Sequence, residues 1–159
     1  DTDRSRGLGD VYKRQSLHNL GLLLQSDFEN AHIHFILRST PSDIYIEGDE
    51  KQLSQVFLNL LKNSMQSLEG KTDGQIEVTL EVTDKLYIKL LDNGQGIPME
   101  LQEKIFVPFF TTKTEGTGIG LSLCRQIIKR HGGNLYLQES GQGRTLFVIE
   151  WPIVPFIPK

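Results

Sequence analysis

Two pairs of alternating segments constrain this chain more than any other feature. "QIEVTLEVT" and "KLYIKLLDN" meet around Thr83 to Lys85, and "NLYLQES" and "TLFVIEW" come near the end; period-two alternation on both sides of a short turn predicts antiparallel hairpins. Ahead of them, Leu17, Leu20, Leu23, Leu24 and Phe28 recur at helical spacing from Ser16 to about Asn30, and "HFILRS" and "IYIEG" read as short strands with Pro41 between them. The most regular helix opens on a capping box, Asp49 with Gln52. It carries Leu53, Val56, Phe57, Leu60, Leu61, Met65 and Leu68 on one stripe and stops near Gly70. A second helix starts near Gly118 to Gly120, buries Leu121, Cys124, Ile127 and Ile128, and ends in "KRHGG". There the cations suit the negative end of the helix and Gly132 suits a left-handed cap. Strand runs mixed with a few helices, without regular strand-helix alternation, predict an α+β layer of helices over one sheet.

A chain of 159 residues suits one domain with a substantial core, since a domain of about 150 residues buries roughly 70% of its unfolded surface. Its net charge of -3 carries no basic excess, which argues against nucleic acid as a partner. Cys124 is the only cysteine, and no apolar run approaches the roughly 20 residues of a membrane helix. A reducing, soluble, cytoplasmic compartment without membrane contact is the expectation for this segment, with membrane anchoring of a parent protein left open. Residues 1–15, "DTDRSRGLGDVYKRQ", read as a non-native or disordered tail resembling a translated adapter, and they are set aside. The patterned domain then runs from 16 to 152, with a short tail at 153–159.

"TTKTEGTGIGLSL" places Gly116, Gly118 and Gly120 at alternate positions ahead of a helix. A dinucleotide fingerprint requires a glycine where Leu121 stands, and a Walker loop ending in "GKT" at 70–72 requires one where Met65 stands. Both familiar phosphate loops are therefore excluded. What survives is the general attraction of a helix start for an anion, with side-chain-free residues permitting close approach, or else a plain flexible turn.

Three further features carry chemistry. In "DNGQGIP", Asp92 leaves an apolar strand into a glycine-paired turn. It is either simple turn chemistry or a carboxylate at a pocket floor, able to accept from adenine N6 and to reject guanine, which offers an oxygen there. Asn59 and Asn63, about 40° apart on one helix flank, are either solvated residues or neutral ligands for Mg²⁺ and its phosphates. In "IFVPFFTTK", Phe106, Phe109 and Phe110 form either a hydrophobic wedge or the anchor of a lid, with Lys113 facing a terminal phosphate.

In this order, "QVFLNLLKNS", "DNGQGIP", "IFVPFFTTK" and "GTGIGLSL" closely resemble the N, G1, F and G2 boxes of the catalytic ATP-binding domain of two-component sensor histidine kinases. The resemblance runs from roughly Ser16 to Pro152 and extends to the superfamily of DNA gyrase, the heat-shock chaperone ATPase and MutL. It implies a two-layer α/β sandwich of the Bergerat type, a mixed but mostly antiparallel sheet backed by about three helices, with ATP and Mg²⁺ as cofactors. Asp92 would bind adenine N6, with Gly94, Gly96 and Ile97 shaping the pocket. Asn63 would hold the metal, and Asn59 and Lys62 would stand near the phosphates. The resemblance further implies that Phe106 anchors a short lid and that Thr111, Thr112, Lys113, Gly116, Thr117, Gly118, Ile119, Gly120 and Leu121 surround the phosphate tail, Asn59 and Lys113 being the catalytic pair. A late "GQGRTLF" is similar to the final glycine box and implies Thr145 as a helper at adenine, with Arg144 where a glycine usually precedes the threonine. Ser64 replaces the usual alanine after the second asparagine.

Members of the superfamily that hydrolyse ATP or phosphorylate serine generally carry a glutamate where this chain has Asn59, which cannot take a proton. That favours transfer to a nucleophile needing little activation, such as imidazole. His18, His32, His34 and His131 are the only histidines, and none sits in an H-[DE]-x-x-x-P phosphoacceptor setting. His131 reads as a helix-end residue, and His32 with His34 as one face of a strand. The resemblance therefore implies a kinase domain whose acceptor histidine lies on an upstream dimerisation domain, in a homodimeric parent that serves a response regulator. The alternatives are a superfamily ATPase or serine kinase, or a degenerate nucleotide-binding module.

Overall fold

The computed structural model describes residues 11–13, 19, 21–40, 45–110, 120–141 and 143–151. Within them the strands are β1 (Val11–Lys13), β2 (Ile33–Thr40), β3 (Tyr45–Glu47), β4 (Gly74–Val82), β5 (Leu86–Asp92), β6 (Asn134–Gly141) and β7 (Arg144–Trp151). The helices are α1 (Gln25–Asn30), α2 (Glu50–Ser67), the single turn α3 (Met99–Gln102) and α4 (Gly120–Arg130). A five-stranded sheet has the order β2-β4-β5-β7-β6, with β2 parallel to β4 and every other pair antiparallel. This is the mixed, mostly antiparallel sheet with helices that the resemblance implies, and both hairpins expected from the alternating segments are present. β1, inside the segment set aside as a tail, pairs with β3 in a separate two-stranded ribbon.

One face of the sheet forms the core. Alternate residues of β4 (Ile76, Val78, Leu80), β5 (Leu86, Ile88, Leu90) and β7 (Phe147, Ile149, Trp151) are buried with Leu53, Val56, Phe57, Leu60 and Leu61 of α2 and Cys124, Ile127 and Ile128 of α4. Each such side chain contributes about 1.5–3 kcal/mol on burial, against about 0–1 kcal/mol for an exposed ion pair. The pairs Arg38–Glu77, Lys89–Glu81 and Arg144–Glu139 therefore decorate the fold, and apolar burial holds it.

The helix ends follow the local chemistry of the sequence. Asp49 caps α2 by accepting from the Gln52 N–H at 3.1 Å. The end of α4 carries Lys129 and Arg130, and Gly132 takes φ +85° while Gly133 N–H donates to Ile128 O at 2.9 Å. Leu121, expected in the core, is only half-buried against it. His32 lies in the turn before β2 at φ +60°, off the strand face it was expected to share with His34.

Candidate functional site

Strand β5 alternates buried and half-buried residues from Leu86 to Asp92. That period places the Asp92 carboxylate on the helix-covered face at the strand's last position, where it is 3% exposed. Its Oδ1 accepts from the Gly94 N–H at 2.9 Å, with Ser67 Oγ of α2 at 3.5 Å. Burial raises the carboxyl above its ordinary value, opposed by hydrogen bonds from Gly94 N–H and the Ser64 and Ser67 hydroxyls. None of the ion pairs among the described residues includes it. An acidic group so placed keeps acceptor capacity for a ligand rather than for a structural cation.

The loop after Asp92 is built for close approach. A Cβ on Gly94 would come within 2.7 Å of the Ser67 carbonyl oxygen and 2.9 Å of Asp92 Oδ1. Gly96 has φ +83° and lies against Gly141, so it requires glycine twice over. Asn93 fastens the loop to β4: its Oδ1 accepts from Gln75 N at 2.7 Å and its Nδ2 donates to Asp73 O at 3.0 Å. On the other side, Gly143 N–H donates to Gly94 O at 3.0 Å. Beside this loop opens a concavity of about 410 Å³ walled by Ser67, Gly70, Lys71, Asn93, Gly94 and Gly143 among others.

Thr145 is 4% exposed and stands opposite Asp92 in the β5–β7 register. Arg144 does not disturb it, because the arginine pairs with Glu139 at 2.8 Å and is exposed. Ile97, half-buried, donates its N–H to Ser140 Oγ at 2.8 Å.

On α2, Asn59 and Asn63 are half-buried and Lys62 is exposed. Asn59 hydrogen-bonds the Cys124 thiol of α4, whose pKa burial pushes up to about 12. Phe106 is wedged between layers: its ring meets Phe147 edge-on at 6.2 Å, and the Arg125 guanidinium lies 3.9 Å above its centre. Phe109 is exposed at φ +70°. Gly120 opens α4, and a Cβ there would meet nothing within 4 Å. Thr111, Thr112, Lys113, Gly116, Thr117, Gly118 and Ile119 lie outside the described residues.

The described residues thus bring together Asp92, Gly94, Gly96, Ile97 and Thr145 at one end of the sheet. Ser67, Asn93, Gln102 and Ser140 join that group without having been singled out from sequence. Ser67 alone carried a hint, being four residues past Asn63 on the same helix flank. His32 and His34 both line a second concavity of about 420 Å³, but no group of three metal-binding side chains is found among the described residues. Nor is any helix among them long and apolar enough to cross a membrane.

Residues 48–155 match the family model described as histidine kinase-, DNA gyrase B-, and HSP90-like ATPase. The catalytic domain of histidine kinase ThkA superposes with a TM-score of 0.79 at 32% identity, covering 90% of this chain and 95% of that one. Sporulation kinase A of Bacillus subtilis is 39% identical over 119 residues, 74% of this chain and 20% of its own length. The sensory histidine kinase/phosphatase NtrB of Rhodobacter capsulatus is 35% identical over 137 residues, 79% of this chain and 38% of its own length. The chain therefore spans between a fifth and two fifths of these two curated relatives.

Proposed function

Because the chain belongs to the histidine kinase-, DNA gyrase B-, and HSP90-like ATPase family, as a histidine kinase catalytic domain, we propose that it binds Mg-ATP and donates the γ-phosphoryl group to a histidine on a separate dimerisation domain. The observation that carries this reading is Asp92: a carboxylate 3% exposed, oriented by Gly94 N–H, at the head of a glycine loop packed closely on Ser67 and Gly141.

The donor set fits the nucleotide. Asp92 accepts from the exocyclic amine of adenine, and guanine would place an oxygen against the same carboxylate. Thr145, across the strand pair, supplies a hydroxyl to the base. Asn63 would hold Mg²⁺, its amide oxygen being a hard neutral donor of the kind that ion takes. Bound Mg-ATP supplies the phosphoryl group and the divalent charge that offsets its oxygens. Asn59 positions the phosphates but cannot take a proton, so the acceptor must need little activation, as neutral imidazole does. Lys62 and Lys113 stand as cations toward the phosphate tail, and Lys113 with Asn59 forms the catalytic pair. The resemblance assigns the residues between Thr111 and Leu121, with Gly116, Thr117, Gly118, Ile119 and Gly120, to a lid over the phosphates, with Phe106 as its anchor. In the parent protein, a cytoplasmic homodimer interface upstream presents the acceptor imidazole, and a response regulator receives the phosphoryl group from it.

Calorimetric titration of the chain with ATP and GTP, each with and without Mg²⁺, tests the first half. ATP-selective, Mg²⁺-sensitive binding is expected, and a folded chain that binds neither nucleotide overturns the reading. The second half is tested by incubating the chain and labelled ATP with a histidine-bearing dimerisation domain. Phosphate labile to acid and stable to base is expected on that domain, whereas acid-stable phosphoserine would point to a serine kinase.

A further inference from the structure

Strand β6 changes face partway along its length. Leu135 pairs with Ile149 and Leu137 with Phe147, but Glu139 pairs with Leu146, so two residues of β6 oppose one step of β7. This is a β-bulge at Gln138, and it inverts the alternation beyond it. Simple period two from Leu135 and Leu137 would put Glu139 on the core face and Ser140 on the outer one. The bulge instead sets Ser140 opposite Thr145, which stands in turn opposite Asp92.

The hydrogen bonds around Ser140 leave its proton available to Thr145. Ser140 Oγ accepts from Ile97 N–H at 2.8 Å and lies 2.9 Å from Thr145 Oγ1. Gln102 Nε2 holds the same corner by donating to Ile97 O at 2.9 Å and to Ser140 O at 3.4 Å. A hydroxyl has one proton and two lone pairs. If Ser140 donates to Thr145, the run Ile97 N–H, Ser140 O–H, Thr145 O–H points one way, and the Thr145 proton is left for a ligand beside Asp92. Donors aligned head to tail in this manner polarise and strengthen one another.

We propose that Ser140 is a positioning residue that directs the Thr145 hydroxyl as a donor to the ring nitrogen N1 of adenine, the neighbour of the exocyclic amine held by Asp92. The inference rests on the reading of this site as an adenine pocket. Adenine then meets an acceptor at Asp92 and a donor at Thr145, matching its own donor at N6 and acceptor at N1. Guanine reverses both, with an oxygen at the first position and an N–H at the second. Discrimination thus has two contacts instead of one, and the second depends on a serine that does not touch the base.

The test compares ATP with 1-deaza-ATP, in which N1 is replaced by C–H, using the full chain, its Ser140→Ala variant and its Ser140→Thr variant in calorimetric titrations. The unmodified chain is expected to prefer ATP by about fivefold, the worth of one hydrogen bond of roughly 1 kcal/mol. Ser140→Ala is expected to reduce that ratio to below about twofold, by weakening ATP and not 1-deaza-ATP, and Ser140→Thr, which keeps the hydroxyl, is expected to restore it. A purely structural role would lower both affinities alike, and that result overturns the inference, as does a ratio that survives Ser140→Ala. Equal binding of the two nucleotides by the unmodified chain would overturn the Ser140 inference alone, whereas no binding of ATP at all would overturn the adenine reading beneath it.

Discussion

The Asp49 backbone N–H donates to His131 Nε2 at 3.1 Å, while His131 Nδ1 lies 2.8 Å from the Ile127 carbonyl oxygen. A neutral ring with its proton on Nδ1 satisfies both contacts, so one imidazole joins the start of α2 to the end of α4, with Trp151 at 5.7 Å beneath it. The histidine thereby supplies the half of the capping arrangement that satisfies the Asp49 N–H. His131→Ala is expected to lower stability by about 1–2 kcal/mol in urea denaturation, the loss of two hydrogen bonds and a ring contact. Asp49→Ala removes the other half of the same cap for about 1 kcal/mol. Because both act at one helix end, the double variant is expected to lose less than the sum, and strict additivity would mean the two do not cooperate.

Asp92 sets function against stability. Burial raises its folded carboxyl above the ordinary 3.8. Between about 3.8 and the raised folded value the folded chain holds a proton that the unfolded chain has released, so stability falls as pH rises across that window and the carboxylate form prevails above it. Asp92→Asn removes that cost. The variant is expected to be at least as stable as the unmodified chain at pH 7, with the advantage vanishing below pH about 3.8, while its ATP selectivity is lost. Urea denaturation across pH checks the first expectation and ATP/GTP titration the second. An asparagine variant that is less stable at pH 7 would show that the carboxylate stabilises the fold through its three donors.

Gly94 is where the end of α2 meets the Asp92 loop. A methyl group there would press on the Ser67 side chain and come within 2.7 Å of the Ser67 carbonyl, which belongs to the last turn of α2. Gly94→Ala is expected to cost about 1–3 kcal/mol from overpacking and to weaken ATP binding by displacing Asp92 Oδ1. Adding Ser67→Ala clears the hydroxyl but leaves the carbonyl, so only part of the loss should return. Full rescue in thermal melts would place the whole clash on the side chain.

The hairpins β4–β5 and β6–β7 and the helix α2 were legible because alternating runs flank each turn and the helix carries its apolar stripe over 18 residues from a capped start. The partner of β2 was not, since β3 and α2 separate it from the parallel strand β4, and no local pattern records a pairing across that distance. At the site, Asp92, Gly94 and Gly96 announced themselves through residue type. Ser140 did not, because the bulge at Gln138 reverses the face that its position implies. Asn93 looked like turn composition, and its two bonds to residues 73 and 75 exist only once β4 lies beside β5. The glycines at 116 and 118 lie outside the described residues, and Gly120 has open space around its missing Cβ, so crowding gives no reason for glycine there.

Cys124 provides a reporter that ties folding to the ligand. It is the only cysteine, fully buried between α2 and α4, with its Sγ 3.7 Å from Val56 O. Burial pushes its thiol up to about 12, so almost no thiolate exists at pH 8 in the folded chain. Labelling by a disulfide reagent is therefore expected only through opening of the α2–α4 contact, at a rate that rises with urea in step with unfolding. ATP at about 100 times its Kd stabilises the folded state by roughly 2.7 kcal/mol, a slowing of about 100-fold if the opening is global. Slow labelling that ATP does not change, in a chain that binds ATP, would mean that α4 separates from α2 while the Asp92 end of the sheet stays intact.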